Sequence, residues 1–180
     1  DYTFSNATLD YRIYRFFKPV GFAFRAMHMG RYGEGGNNSP LAPFFLGSPW
    51  FIRGFNGAAL ESLVVNGQIG QDNLFGSKVV VSSFEVRIPF SGPEQLALIK
   101  SGFLFTDLNF FVDGGLAWFD QQQFDTDNNL SGFSDATPVF SVGVSVRANV
   151  FGALIVEPYL AKPLFEGAPA AFGLNIIPGW

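Results

Sequence analysis

Cysteine is absent from this chain of 180 residues, which excludes disulfides and thiolate chemistry and leaves the redox compartment unreadable. Histidine occurs once, at His28; that rules out a His-rich metal centre and argues against a Ser-His-Asp triad. Charged residues make up 14% of the chain, against roughly 25% in soluble domains. The net charge is −4 and the pI about 4.8, with no basic run, so nucleic acid is not an expected partner. No run of about 18 apolar residues occurs, which excludes a transmembrane helix. A secretory signal is not recognisable either: Asp1 opens the chain without a basic n-region, so its front is expected to be processed or truncated. No phosphate-binding glycine loop is present.

What the chain does have is phenylalanine, 23 of them, within a hydrophobic content of 48%, and a period-two pattern. In FSVGVSVRANV (140–150), Phe140, Val142, Val144, Val146, Ala148 and Val150 share one face, and Ser141, Gly143, Ser145, Arg147 and Asn149 the other. VVVSSFEVRIPF (79–90) sets Val80, Phe84, Val86, Ile88 and Phe90 against Ser83, Glu85 and Arg87. FLFTDLNFFVDGGLAW (103–118) sets Leu104, Leu108, Phe110, Val112, Leu116 and Trp118 against Asp107, Asn109, Phe111 and Asp113. Further strands are expected at 7–17, 21–32, 153–162 and 171–177. The result is about seven strands of roughly ten residues, the length a tilted strand needs to cross a bilayer. Residues 1–6 read as the stub of another.

Alternation by itself fits a soluble β-sandwich, apolar face inward, as well as a membrane barrel, apolar face to lipid. The connections discriminate. Short links fall at 18–21, 91–100 and 151–153, and long ones at 33–78, 119–138 and 163–170. Short turns on one rim and long loops on the other are a barrel trait that a sandwich has no reason to show. Tyr14, Phe16, Phe17, Trp118, Phe119, Phe151, Tyr159 and Trp180 lie near strand ends, where interfacial girdles are expected.

The 33–78 link contains FFLGSPWFIRGFNG (44–57), with Arg53 alone among aromatics and glycines. FFLGSPWFIRGF resembles loop six of the BamA/TamA/FhaC superfamily, the bacterial surface-antigen family of outer-membrane assembly and translocation proteins, with its Val/Ile/Leu-Arg-Gly-Phe/Tyr core at Ile52, Arg53, Gly54 and Phe55. GSKVVVSSFEVRIPF, LNFFVDGGLAWFD, FSVGVSVRANVFGALIVEPYLAKPL and AAFGLNIIPGW are similar to the family's succeeding strands, in order. RANVFGAL stands where a Ser-Pro-Leu-Gly-Pro turn is usual.

The resemblance implies an all-β fold: a transmembrane antiparallel β-barrel, of which residues 1–180 form the C-terminal seven to eight strands of a larger barrel, with the 33–78 loop folded inward. It further implies that Arg53 meets Glu85, Phe111 and Asp113 on the inner wall, all of which lie on the polar face by alternation. On spacing alone the plainer reading is a solvated Arg53, a strand-end Asp113 and a Glu85–Arg87 pair; the resemblance reverses that choice. Loss of Arg53 is expected to cost about 1–3 kcal/mol if the carboxylates are shielded. Phe172, Gly173 and Trp180 mark the terminal strand and its aromatic end, and the strand is expected to stop before Pro178, which removes a ladder donor.

The implied function is insertion of outer-membrane proteins or translocation of polypeptide across the outer membrane of a Gram-negative bacterium. Expected partners are outer-membrane lipid, unfolded polypeptide substrates, and other assembly-complex subunits or a second copy. Two alternatives remain open: a barrel that anchors or exports a fused periplasmic enzyme such as a patatin-like lipase, and a small pore or adhesin barrel. No catalytic residue, cofactor or metal is expected. Asp125, Asp127 and Asn129 imitate a calcium loop, but the glycine falls at Gly132 and Ala136 holds the twelfth position. Asp107 and Asp113 lie too far apart to share a proton, and His28 reads as structural or interfacial.

Overall fold

Alternating segments pair where their polar faces can share one side and their apolar faces the other, and that pairing builds the molecule. The computed structural model describes residues 3–36, 41–67, 74–92, 98–101, 104–119, 136–151 and 153–178. In chain order the elements are β1 (Ser5–Phe17), β2 (Val20–Tyr32), β3 (Phe44–Phe45), α1 (Gly57–Val65), β4 (Phe75–Gly76), β5 (Lys78–Gly92), β6 (Ile99–Lys100), β7 (Leu104–Trp118), β8 (Val139–Val150), β9 (Leu154–Pro163) and β10 (Ala171–Pro178). The main sheet runs β1-β2-β5-β7-β8-β9-β10, antiparallel throughout, with β6 adding a short parallel pairing to β5. Among the described residues the sheet is open, with β1 and β10 at its edges.

Apolar side chains point away from the covered face. Phe24, Phe84, Phe110, Val112, Val144, Val146, Leu160 and Leu174 are all exposed. Polar residues of the opposite parity are buried on the inner face, among them Glu85, Asn109, Asp113, Ser141, Ser145 and Glu157. This arrangement is inside-out for a soluble domain and right for a wall between lipid and a polar interior.

The described residues of the loop between β2 and β5, 41–67 and 74–77, lie against the inner face near the long-loop rim. This segment is more structured than a loop: it carries α1, and β3 pairs with β4. Leu46, Ile52, Phe55, Leu63 and Leu74 from this segment form one apolar cluster with Met27, Val79, Val81, Ala117 and Val139 of the wall. The cluster explains the Val79-Val80-Val81 run, which breaks alternation. Val79 and Val81 face the cluster, while Val80 is 42% exposed on the outer face.

Several expectations need correction. Tyr14, Phe16 and Tyr159 do not sit in an outer girdle. They have inward parity, since Tyr14 pairs in register with the buried Ala23, Phe16 with Gly21 and Tyr159 with Ser145. Position near a strand end cannot reveal facing, which parity decides. Phe17, Phe119 and Phe151 are exposed, and Trp118 stacks on His28. Ser5 and Asn6 are not a separate stub but extend β1, paired with Tyr32 and Arg31. The terminal strand includes Pro178, opposite Leu154; proline is tolerated on an edge strand, where a missing donor breaks no second ladder. Trp180 and the stretch 125–132 lie outside the described residues.

Candidate functional site

The loop segment that enters the apolar cluster also delivers one charge to the wall. Ile52 and Phe55 are fully buried on either side of Arg53, and each such side chain contributes about 1.5–3 kcal/mol when removed from water. Between them Gly54 adopts φ +100°, and a Cβ there would come within 3.0 Å of the Ala161 Cβ. Only glycine takes that backbone at that distance from β9 without strain. Gly47 is similarly confined: a Cβ would meet the Phe45 ring and the Phe55 carbonyl oxygen.

Arg53 is 5% exposed. Its Nε and Nη2 donate to the two oxygens of Asp113 on β7, both at 2.8 Å, and its backbone N–H donates to Asp113 Oδ2 at 3.2 Å. Nη1 donates to Glu157 Oε1 on β9 at 2.9 Å. Nη2 also lies 2.9 Å from Glu85 Oε1 on β5 and donates to Ser83 Oγ at 3.2 Å. The guanidinium carbon sits 3.5 Å from the centroid of the Phe111 ring. A planar fork matches such a site as no ammonium can, with bidentate pairing in its plane and an aromatic face beneath it. Burial opposes the charged guanidinium, but the Asp113 bond and the charges of Asp113, Glu85 and Glu157 prevail and hold its pKa above the ordinary arginine value.

Supporting residues fix the acceptors. Ser83 donates to Asp113 Oδ1 at 2.6 Å, Ser145 to Glu157 Oε1 at 2.7 Å, and Asn109 to Ser145 Oγ at 3.1 Å. Glu85 is also held by Arg87 and, at 3.5 Å, by Arg147. The Phe111 ring occupies the space a side chain would need at Gly143, its cross-strand partner: a Cβ there would lie 2.5 Å from the ring. Tyr159 meets Phe111 edge-on and covers Gly173 of β10 in the same way. Asn56 joins the loop to this row, accepting from the Tyr159 hydroxyl and donating to the Phe172 carbonyl oxygen, each at 3.3 Å.

Ile52, Arg53, Gly54, Phe55, Glu85, Phe111 and Asp113 therefore lie together. Phe172 does not join them through its side chain, which is 70% exposed on the outer face. Sequence reasoning missed Glu157, Ser83, Ser145 and the aromatic-over-glycine pairs. Glu157 is the lone carboxylate in LIVEPYLAKPL and shares the parity of Ala161, a signal that was there to use; the serines gave none. His28 is structural, its ring nitrogens bonded to the Val79 carbonyl oxygen and the Tyr32 hydroxyl. Among the described residues no group of acids and histidine is placed to hold a metal.

The model of the Omp85 superfamily domain matches residues 2–154. The chain belongs to the Omp85 superfamily. Omp85 membership makes the outward apolar face a lipid-facing one and the fold that of an outer-membrane antiparallel barrel, seen here as an open sheet. Among the described residues no helix is long and apolar enough to cross a membrane; in an Omp85 barrel the strands do so. Omp85 proteins work in outer-membrane protein insertion or polypeptide translocation, with substrate polypeptides and other assembly components. No curated protein matches the chain.

Proposed function

We propose that this chain is the C-terminal part of an Omp85 barrel in the outer membrane of a Gram-negative bacterium, and that the loop around residues 44–65 acts as an inward-docked plug whose seating sets the state of a polypeptide-conducting pore or seam. The observation carrying this reading is the Arg53 guanidinium, buried and shared among Asp113, Glu85 and Glu157 from three strands. Removing such a charge costs far more than breaking an exposed pair, because the acids stay buried without it. No chemical step is needed; the work is opening and closing a path for unfolded chain.

Ile52, Gly54 and Phe55 seat the loop, and Glu85, Phe111 and Asp113 receive it. Phe172 and Gly173 belong to the terminal strand, which the loop contacts through Asn56. Planar-bilayer conductance tests the reading. Arg53→Ala should raise the frequency and size of open events, and a conductance trace identical to wild type would contradict it. Occupation of the inner face by the loop also suits a plugged barrel that only anchors a fused periplasmic enzyme. In that case Arg53→Ala would open the pore while neither it nor the wild type inserted or translocated polypeptide in proteoliposomes.

A further inference from the structure

The inner face also carries guanidiniums aimed the opposite way, from the wall into the loop: Arg31 of β2 donates to the Ala42 carbonyl oxygen at 2.8 Å, and Arg25, further down the same strand, makes the more extensive contact. Arg25 of β2 donates through Nη1 to the Trp50 carbonyl oxygen at 3.1 Å, and its guanidinium carbon lies 5.1 Å from the centroid of a Trp50 ring. The other side of its fork is held by Asp10 of β1, with Nη2 to Oδ2 at 3.0 Å and Nε to Oδ1 at 3.3 Å. Arg12 braces the same carboxylate at 2.8 and 3.0 Å. The Arg53 and Arg25 networks share no carboxylate: one uses β5, β7 and β9, the other β1 and β2. Trp50 is half exposed and, with Arg25, lines a cavity of about 760 Å³ left between the loop and the wall.

From this we infer that Arg25, braced by Asp10, is a second latch that ties the Ser48–Trp50 end of the loop to the β1–β2 hairpin and releases separately from Arg53. It rests on the reading of the loop as a plug. The two latches sit on adjacent strands, Arg25 pairing in register with Ser83, but they hold the loop through different acids, and that makes partial opening possible. With Arg25 released, Trp50 leaves the cavity while Ile52, Arg53 and Phe55 stay seated.

These 180 residues hold no cysteine, so single cysteines placed in them give a site-resolved test in the protein reconstituted in vesicles, with any cysteine elsewhere replaced by serine. Ser48→Cys reports on the Trp50 end of the loop, and Ala59→Cys, buried in α1, reports on release of the whole loop; both are followed by maleimide labelling rate. Arg25→Ala should speed labelling at Ser48→Cys by about tenfold, the shift expected for loss of one charge-assisted hydrogen bond, and leave Ala59→Cys unchanged. Arg53→Ala should speed both. An unchanged Ser48→Cys rate in Arg25→Ala, or an equal rise at both sites, overturns the second latch. If Arg53→Ala alters neither site while Arg25→Ala behaves as stated, the plug lock falls and the latch stands. Should Arg25→Ala fail the heat-modifiable mobility check for folded barrels, Asp10→Asn removes the brace and carries the same expectations.

Discussion

Replacement of Arg53 by alanine is the most informative single perturbation. The guanidinium makes bonded contacts with Asp113 and Glu157 and an ion pair with Glu85, and all four side chains are at most 11% exposed. Each charge-assisted bond is worth about 1.5–3 kcal/mol in isolation, but the contacts share one group and cannot be summed. The better comparison is a buried pair broken from one side, about 3–5 kcal/mol, because the acids stay buried without their partner. This exceeds the 1–3 kcal/mol expected from the sequence, since Glu157 joins Asp113 among the buried acids that lose the Arg53 charge, while Glu85 keeps Arg87. At 1.4 kcal/mol per tenfold, the undocked fraction of the loop should rise by roughly 10² to 10³. Chymotrypsin, which cuts after Phe44, Phe45, Trp50, Phe51 and Phe55 only when the loop is out, reads that fraction when reclosing is faster than cleavage. Arg53→Lys should fall between, because an ammonium cannot fork onto Asp113 while covering Phe111. Cleavage of Arg53→Ala within threefold of wild type, in a barrel shown to be folded, would refute the reasoning.

Three further outcomes are expected. Ile52→Ala removes a fully buried side chain from the loop cluster and should destabilise docking by about 2–5 kcal/mol, again seen as faster chymotrypsin cleavage. Gly143→Ala drives a methyl into the Phe111 ring and the Leu160 carbonyl oxygen; a loss of about 1–3 kcal/mol is expected, measured by urea unfolding in vesicles. Val144→Lys, in the middle of β8 on the outer face, should cost about 2–4 kcal/mol if that face meets lipid; unchanged folding into vesicles would mean that it does not.

Strand existence and facing were legible because both are local. Phe84, Phe110 and Val144 declare their side by parity alone, and the sorting of short and long links distinguishes lipid outside from water outside. The Arg53 partners were legible only through the family resemblance, with which the shared polar parity of Glu85, Phe111 and Asp113 agrees. Tyr159 and Tyr14 were assigned to the wrong surface because nearness to a strand end was read in place of parity, and Glu157 was passed over because parity says which face a residue uses but not how high on the wall it sits.

By itself, then, the chain's order of residues determined an inside-out antiparallel sheet with a glycine-cornered loop bearing one arginine, because periodicity, turn length and composition act over a few neighbours. Which carboxylates surround that arginine, why Val79 and Val81 are apolar on the inner side, and that Arg25 grips Trp50 were decided only by tertiary structure. Those facts depend on strand register and on how deep the loop sinks, and both are set by contacts between residues as far apart as Arg53 and Glu157.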